Sequence, residues 1–144
     1  MKIASFIHEG RALYGLVEGD KLRPVSTSKL VEFPTLRALL DKGKLADLPN
    51  FCDTTTLPLA SIRFLSPVPH PSKILCVGLN YNKPYPVEGA TFEADNIVIF
   101  GRHDDSFVAH SQPLEMPLGD AGLSYDFEGE IAVVIGTRCS HVAK

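Results

Sequence analysis

The 144-residue sequence predicts an α+β chain, mostly β: a small strand meander with one helix, then part of a larger β domain. Three observations predict this class. Short alternating runs, separated by Gly, Asp and Glu turn signals, fill the beginning of the chain. One leucine pattern at helical spacing follows them. A stretch with three prolines, Ser66-Pro67-Val68-Pro69-His70-Pro71, then divides the sequence into residues 1–66 and 67–144.

Lys2 to Ile7 reads as the first strand. His8-Glu9-Gly10-Arg11 is its turn, Gly10 being able to take φ > 0. Leu13 to Val17 reads as the second strand, closed by Glu18-Gly19-Asp20, and Leu22 to Val25 as a third. The helix is expected over about Thr35 to Lys42. Pro34 suits its first turn, where a missing N–H costs nothing. Leu36, Leu39 and Leu40 recur at helical spacing, and Gly43 stands where a C-terminal cap would. Leu45 to Pro58 is turn-rich, and Ile62 to Leu65 reads as a short strand. The prolines that follow remove donors and fix φ, so that stretch is neither helix nor central strand. Beyond it, Lys73 to Gly78 reads as a buried strand and Asn82 to Asp95 as irregular. Asn96 to Phe100 and Phe107 to His110 read as further strands, and Leu123 to Gly136 as a long extended segment.

The net charge of −3 shows no broad basic face, which argues against a nucleic-acid partner. Apolar runs such as Ile74 to Val77 and Ile131 to Ile135 are too short to span a bilayer. The first residues lack the apolar stretch of a signal peptide, because His8-Glu9-Gly10-Arg11 interrupts them. Cys52, Cys76 and Cys139 are odd in number and widely spaced, which argues against a disulfide framework and suits a reducing cytoplasm.

The segment Ser124-Tyr125-Asp126-Phe127-Glu128-Gly129-Glu130 followed by Ile131-Ala132-Val133-Val134-Ile135-Gly136 carries the most chemistry. On a strand, Asp126, Glu128 and Glu130 share one face. Neighbours on that face lie roughly 7 Å apart at Cα. Such acids either form the wet face of an antiparallel strand or converge on a cation that offsets their repulsion. A hard divalent ion prefers oxygen ligands of this kind. Two features favour the cation: the same face turns apolar at Ala132 and Val134, and Gly129 leaves room for close approach.

This segment resembles the Glu-x-Glu strand of the fumarylacetoacetate hydrolase superfamily. Lys73-Ile74-Leu75-Cys76-Val77-Gly78-Leu79-Asn80-Tyr81 resembles the strand and Gly-x-Asn-Tyr turn that open the family's catalytic domain. Phe100-Gly101-Arg102 and Val108-Ala109-His110-Ser111-Gln112-Pro113-Leu114 resemble the intervening strand and loop, and the amino-terminal meander resembles the small domain that precedes them in many members. The resemblance implies a mixed β-roll for residues 67–144, incomplete within this chain. It also implies a metal-dependent enzyme acting on small oxo acids or diacids through enolate stabilisation, with C–C bond hydrolysis, decarboxylation or isomerisation as its reactions. Mg²⁺ or Mn²⁺ is the cofactor so implied, with Glu128 and Glu130 as ligands and Asp126 supporting them from behind. Arg102 and His110 are candidates for gripping the substrate.

Two departures accompany the resemblance. The family's third carboxylate ligand is an aspartate well downstream, whereas no Asp or Glu follows Glu130 before Lys144. Many members also carry a His-x-x-Glu pair on a lid after Asn-Tyr, the His acting as general base. Pro84 and Val87 occupy those positions here, with Glu88 adjacent. The alternative is therefore a catalytically silent fragment or relative that keeps the fold for assembly or binding. Cover for the apolar residues after Glu130 is expected from a missing carboxy-terminal part or from a second copy in a homodimer. His103-Asp104-Asp105 reads as a solvated turn rather than a metal or proton-relay cluster, Cys76 as inert core, and Cys139 as the more reactive thiol.

Overall fold

A computed structural model describes residues 1–78 and 98–143. The chain mixes strand and helix, with strands predominating, and divides into two compact units: residues 1–69 with 108–144, and residues 70–107.

In the first unit, β1 (Lys2–His8) and β2 (Arg11–Glu18) form an antiparallel hairpin. Its turn takes positive φ at both Glu9 (47°) and Gly10 (75°), the backbone that matches the twist of a two-residue hairpin. β3 (Lys21–Pro24) pairs with β2, β4 (Leu57–Pro58) with β3, and β5 (Arg63–Phe64) with β1. The sheet order is thus β4-β3-β2-β1-β5. Strand alternation gives the sheet two apolar faces. Ala4, Phe6 and Leu22 are buried on one, with Leu13, Val17 and Phe64 packed against them. Tyr14 and Leu16 project from the other and meet Val25, Phe33, Leu36, Leu39 and Leu48. At Gly15 the backbone of Arg23 and Pro24 leaves no space for a Cβ, so only glycine lets β3 lie this close.

The helix expected over Thr35 to Lys42 is α2 (Leu36–Asp41). Thr35 is its cap, its hydroxyl accepting from the Ala38 N–H at 3.1 Å. Pro34 therefore sits one residue before the cap rather than in the first turn. Gly43, with φ of 65°, closes the other end as its spacing predicts. Two short helices were not expected: α1 (Thr27–Glu32), which buries no residue, and α3 (Leu48–Phe51), which buries Leu48. Arg23 ties this region to the sheet. Its guanidinium donates to the Asp53 carbonyl at 2.9 Å, the Pro49 carbonyl at 3.1 Å and the Glu18 carboxylate at 3.3 Å.

The second unit contains the antiparallel pair β6 (Leu75–Val77) and β7 (Ile99–Gly101). The expectation of a buried strand over Lys73 to Gly78 fails at β6. Leu75 is 68 % exposed and Ile99 62 %, because this sheet has two strands among the described residues, too few to cover its apolar side chains. Phe107 to His110 is not a strand either. A 3-10 turn at Asp104–Ser106 precedes it, and no ladder partner lies beside it among the described residues.

After α4 (Asp120–Leu123), residues 125–136 form neither helix nor strand. The extended segment predicted there thus lacks a ladder: alternation in sequence is present, but the hydrogen-bonding neighbour that makes a strand is not among the described residues.

Candidate functional site

Glu128 and Glu130 lie on this unladdered segment, one on each side of Gly129, and both are exposed. A Cβ placed at Gly129 would meet nothing within 4 Å, so the space between the glutamates is open. The carboxylate of Asp126 accepts from the Phe127 N–H at 2.8 Å, a bond to its own neighbour. The apolar residues around these acids stand in the open too, with Phe127 86 % and Ile131 93 % exposed. The donor chemistry suits a hard divalent cation, since carboxylate oxygens are what such ions take. Among the described residues, however, no group of three or more His, Cys, Asp or Glu gathers to hold one.

The two substrate-binding candidates stand apart in kind. Arg102 belongs to the second unit, where its N–H donates to the Ile74 carbonyl at 3.2 Å and its guanidinium lies 5.4 Å from the centre of the Phe100 ring. That stacking holds the planar group over an aromatic face and leaves its edge for a carboxylate. His110 belongs to the first unit and packs edge-on against Phe64 of β5, ring centres 5.2 Å apart.

His103 precedes the 3-10 turn after β7 and Asp104 and Asp105 open it, so the run is a turn, as its polarity suggests. One member does more. The Asp104 carboxylate bonds Nδ1 of His70 at 2.6 Å. His70 was not singled out in the sequence, because a histidine among prolines carries no periodic signal; its partner lies far along the chain. All three cysteines are free, Cys52 and Cys76 half-buried and Cys139 exposed. Burial pushes the Cys52 thiol up, against the lowering pull of a Leu16 backbone hydrogen bond and of Arg23. Burial thus disfavours the thiolate, the form a nucleophilic cysteine needs. Asn80, Tyr81, Pro84, Val87 and Glu88, which bear on the Gly-x-Asn-Tyr turn and the missing lid pair, lie outside the described residues.

Comparison with known proteins agrees with the motif order. Residues 73–144 match the family described as fumarylacetoacetate (FAA) hydrolase C-terminal, and residues 1–67 match that described as Rv2993c-like, N-terminal. The chain belongs to the fumarylacetoacetate hydrolase family. Among similar proteins is oxaloacetate tautomerase Fahd2a, mitochondrial, of Rattus norvegicus, 29 % identical over 132 residues, which make up 89 % of this chain and 39 % of that protein. An uncharacterised protein of Archaeoglobus fulgidus is 37 % identical over 97 residues, 62 % of this chain and 34 % of the relative. Protein Rv2993c of Mycobacterium tuberculosis is 36 % identical over 85 residues, 59 % of this chain and 31 % of the relative. The matched residues thus span between 31 % and 39 % of these relatives' lengths. No solved structure gives a significant match. No helix among the described residues is long and apolar enough to cross a membrane.

Proposed function

We propose that this chain is part of an enzyme that processes a small 2-oxo acid, with keto–enol tautomerisation or decarboxylation as its reaction. The observation that carries the reading is the family match over residues 73–144, which contain the Glu128-Gly129-Glu130 segment. A relative matched over 89 % of this chain is named an oxaloacetate tautomerase, which supports a substrate of that class. The alternative, a silent fold kept for assembly, draws no support from a relative named for an activity.

On this reading residues 1–66 are a small amino-terminal domain and residues 67–144 belong to a mixed β-roll. The family matches over residues 1–67 and 73–144 support that division. Glu128 and Glu130 hold Mg²⁺ or Mn²⁺, Asp126 supports them, and Arg102 and His110 contact substrate. When bound, the cation supplies Lewis-acid polarisation of the oxo-acid carbonyl. Arg102 contributes a planar fork of donors that orients a substrate carboxylate. His110, whose ring packs on Phe64, contributes a ring nitrogen as a hydrogen-bonding group for the substrate. The exposed apolar residues Ile131, Val133 and Ile135 are covered by further polypeptide, from a carboxy-terminal continuation or from a second copy in a homodimer. Three free cysteines suit a reducing compartment such as the cytoplasm.

The substitutions at the lid positions bear on which reaction to expect. A positioned base is worth about 10²–10⁴-fold, and Pro84 and Val87 supply none where the family's His-x-x-Glu pair stands. C–C bond hydrolysis, which must activate a water, suffers most from that loss. The test is to assay the protein with Mg²⁺ against oxaloacetate and acylpyruvates side by side. Tautomerisation or decarboxylation of oxaloacetate, lost on Glu130→Ala, with little acylpyruvate cleavage, is the expected result. Efficient acylpyruvate cleavage lost on Glu130→Ala would overturn the reaction assignment.

A further inference from the structure

His110 stands at the corner of a tight turn. The Gln112 N–H donates to the Ala109 carbonyl at 3.1 Å, so His110 and Ser111 are the turn's central residues. Ser111 has φ of 62°, a left-handed conformation that turns ordinarily reserve for glycine or asparagine. The turn backbone fixes where the His110 side chain leaves the chain, but it leaves the side-chain torsions open. What the ring meets is Phe64, its ring centre 5.2 Å away and its plane inclined at 85°. Both residues belong to the first unit.

Phe64 is itself firmly held. On β5 it pairs with Phe6 of β1, which is fully buried. Its side chain packs against the cluster of Ala4, Phe6 and Leu22. The next N–H, that of Leu65, donates to the Ser5 carbonyl at 2.8 Å. His110, by contrast, is exposed, and an exposed side chain samples several rotamers. An edge-on aromatic pair is directional, so it selects among them. We propose that Phe64 is a positioning residue for His110, through which the amino-terminal sheet holds the His110 ring in the orientation that meets a 2-oxo acid. This rests on the reading that His110 contacts the substrate. The apparent affinity of a site falls in proportion to the fraction of molecules in the competent orientation. Loss of an aromatic pair lowers that fraction by about 2–10-fold. The KM for substrate rises by the same factor, whereas kcat holds, because His110 still engages substrate and transition state alike once both are bound.

The experiment uses the full 144-residue chain with Mg²⁺ and oxaloacetate. Phe64→Leu and Phe64→Met both remove the ring and keep apolar bulk on the cluster, two variants guarding against one that fails to fold. Each should raise KM by about 2–10-fold with little change in kcat, and Phe64→Tyr, which keeps the ring, should restore it. In the His110→Ala background the same changes at Phe64 should have no further effect, since they act through His110. Histidine-labelled protein gives an independent readout by NMR, with His110→Ala assigning the resonance by its loss. The His110 ring signals should be displaced by the Phe64 ring current in wild type and Phe64→Tyr. They should return to the position of an exposed histidine in Phe64→Leu and Phe64→Met. Absence of oxaloacetate turnover in wild type counts against the proposed function, and the resonance then decides the inference by itself. His110 signals that ignore the loss of the Phe64 ring overturn the inference, as does a KM effect of Phe64→Leu that persists without His110.

Discussion

Replacing Tyr14 by Phe removes one oxygen from the centre of the first unit and leaves the ring in place. Tyr14 is 1 % exposed, and its hydroxyl donates to the Phe33 carbonyl at 2.9 Å. Phe33 ends α1 and stacks on Phe51 with ring centres 5.5 Å apart, so this bond fastens the first two turns of helix to β2. In Tyr14→Phe the Phe33 carbonyl, on a residue 4 % exposed, loses its side-chain donor. An unmet buried acceptor costs about 1–3 kcal/mol, and the packing term is small because ring volume is kept. The expected loss is about 2 kcal/mol, which at an m-value of about 2 kcal/mol/M moves the urea midpoint down by roughly 1 M. A second signature is alkaline. Burial, and next the neighbouring Cys52, push the Tyr14 hydroxyl up to about 12 from its ordinary value of 10.0. The folded state thus holds this proton more tightly than the unfolded chain does. The stability it contributes is full below about pH 10 and is lost as pH rises through about 12. The difference in stability between wild type and Tyr14→Phe should therefore narrow across that window, Cys52 being common to both. Urea unfolding followed by far-ultraviolet circular dichroism at neutral and alkaline pH measures both effects. A midpoint unchanged at neutral pH, with no narrowing above pH 10, would refute the assignment of this hydroxyl as the fastener of α1.

Two further outcomes follow from the same packing. Leu39→Ala should cost about 2–5 kcal/mol, since Leu39 is fully buried in α2 against Tyr14 and Leu48; a loss below about 1 kcal/mol in urea would mean that α2 is not docked on the sheet. Light scattering of the 144-residue chain should show association rather than a well-folded monomer, because Ile131, Val133 and Ile135 are each at least 70 % exposed. A soluble, folded monomer would contradict the need for covering polypeptide.

What could be read from the sequence depended on how local the cause was. The β1–β2 hairpin, β3 and α2 rest on alternation, on Glu9 and Gly10 in one turn and on leucines closed by Gly43, all signals within a few residues of one another. The short helix α1 sets only Leu30 against the core and has no fully buried residue, so it left no apolar stripe to find. Burial at Leu75 was misjudged because an apolar run shows what a strand could bury, whereas cover depends on neighbours elsewhere. The same holds for Leu123 to Gly136, where alternation is written in the sequence but a ladder needs a second strand. At the candidate site, the family was legible from the order of three motifs. The pairing of His70 with Asp104 was not, because a contact between residues 34 apart leaves no pattern in either segment.

The central claim is that Glu128 and Glu130 hold a divalent cation for chemistry on a small 2-oxo acid. Isothermal titration of Mn²⁺ into wild type and into the Glu128→Ala, Glu130→Ala double variant tests it most directly. The account predicts saturable binding by wild type, weakened by at least on the order of 10–100-fold in the double variant, since losing a ligand costs no less than losing its support. Equal binding of Mn²⁺ by both proteins would contradict it.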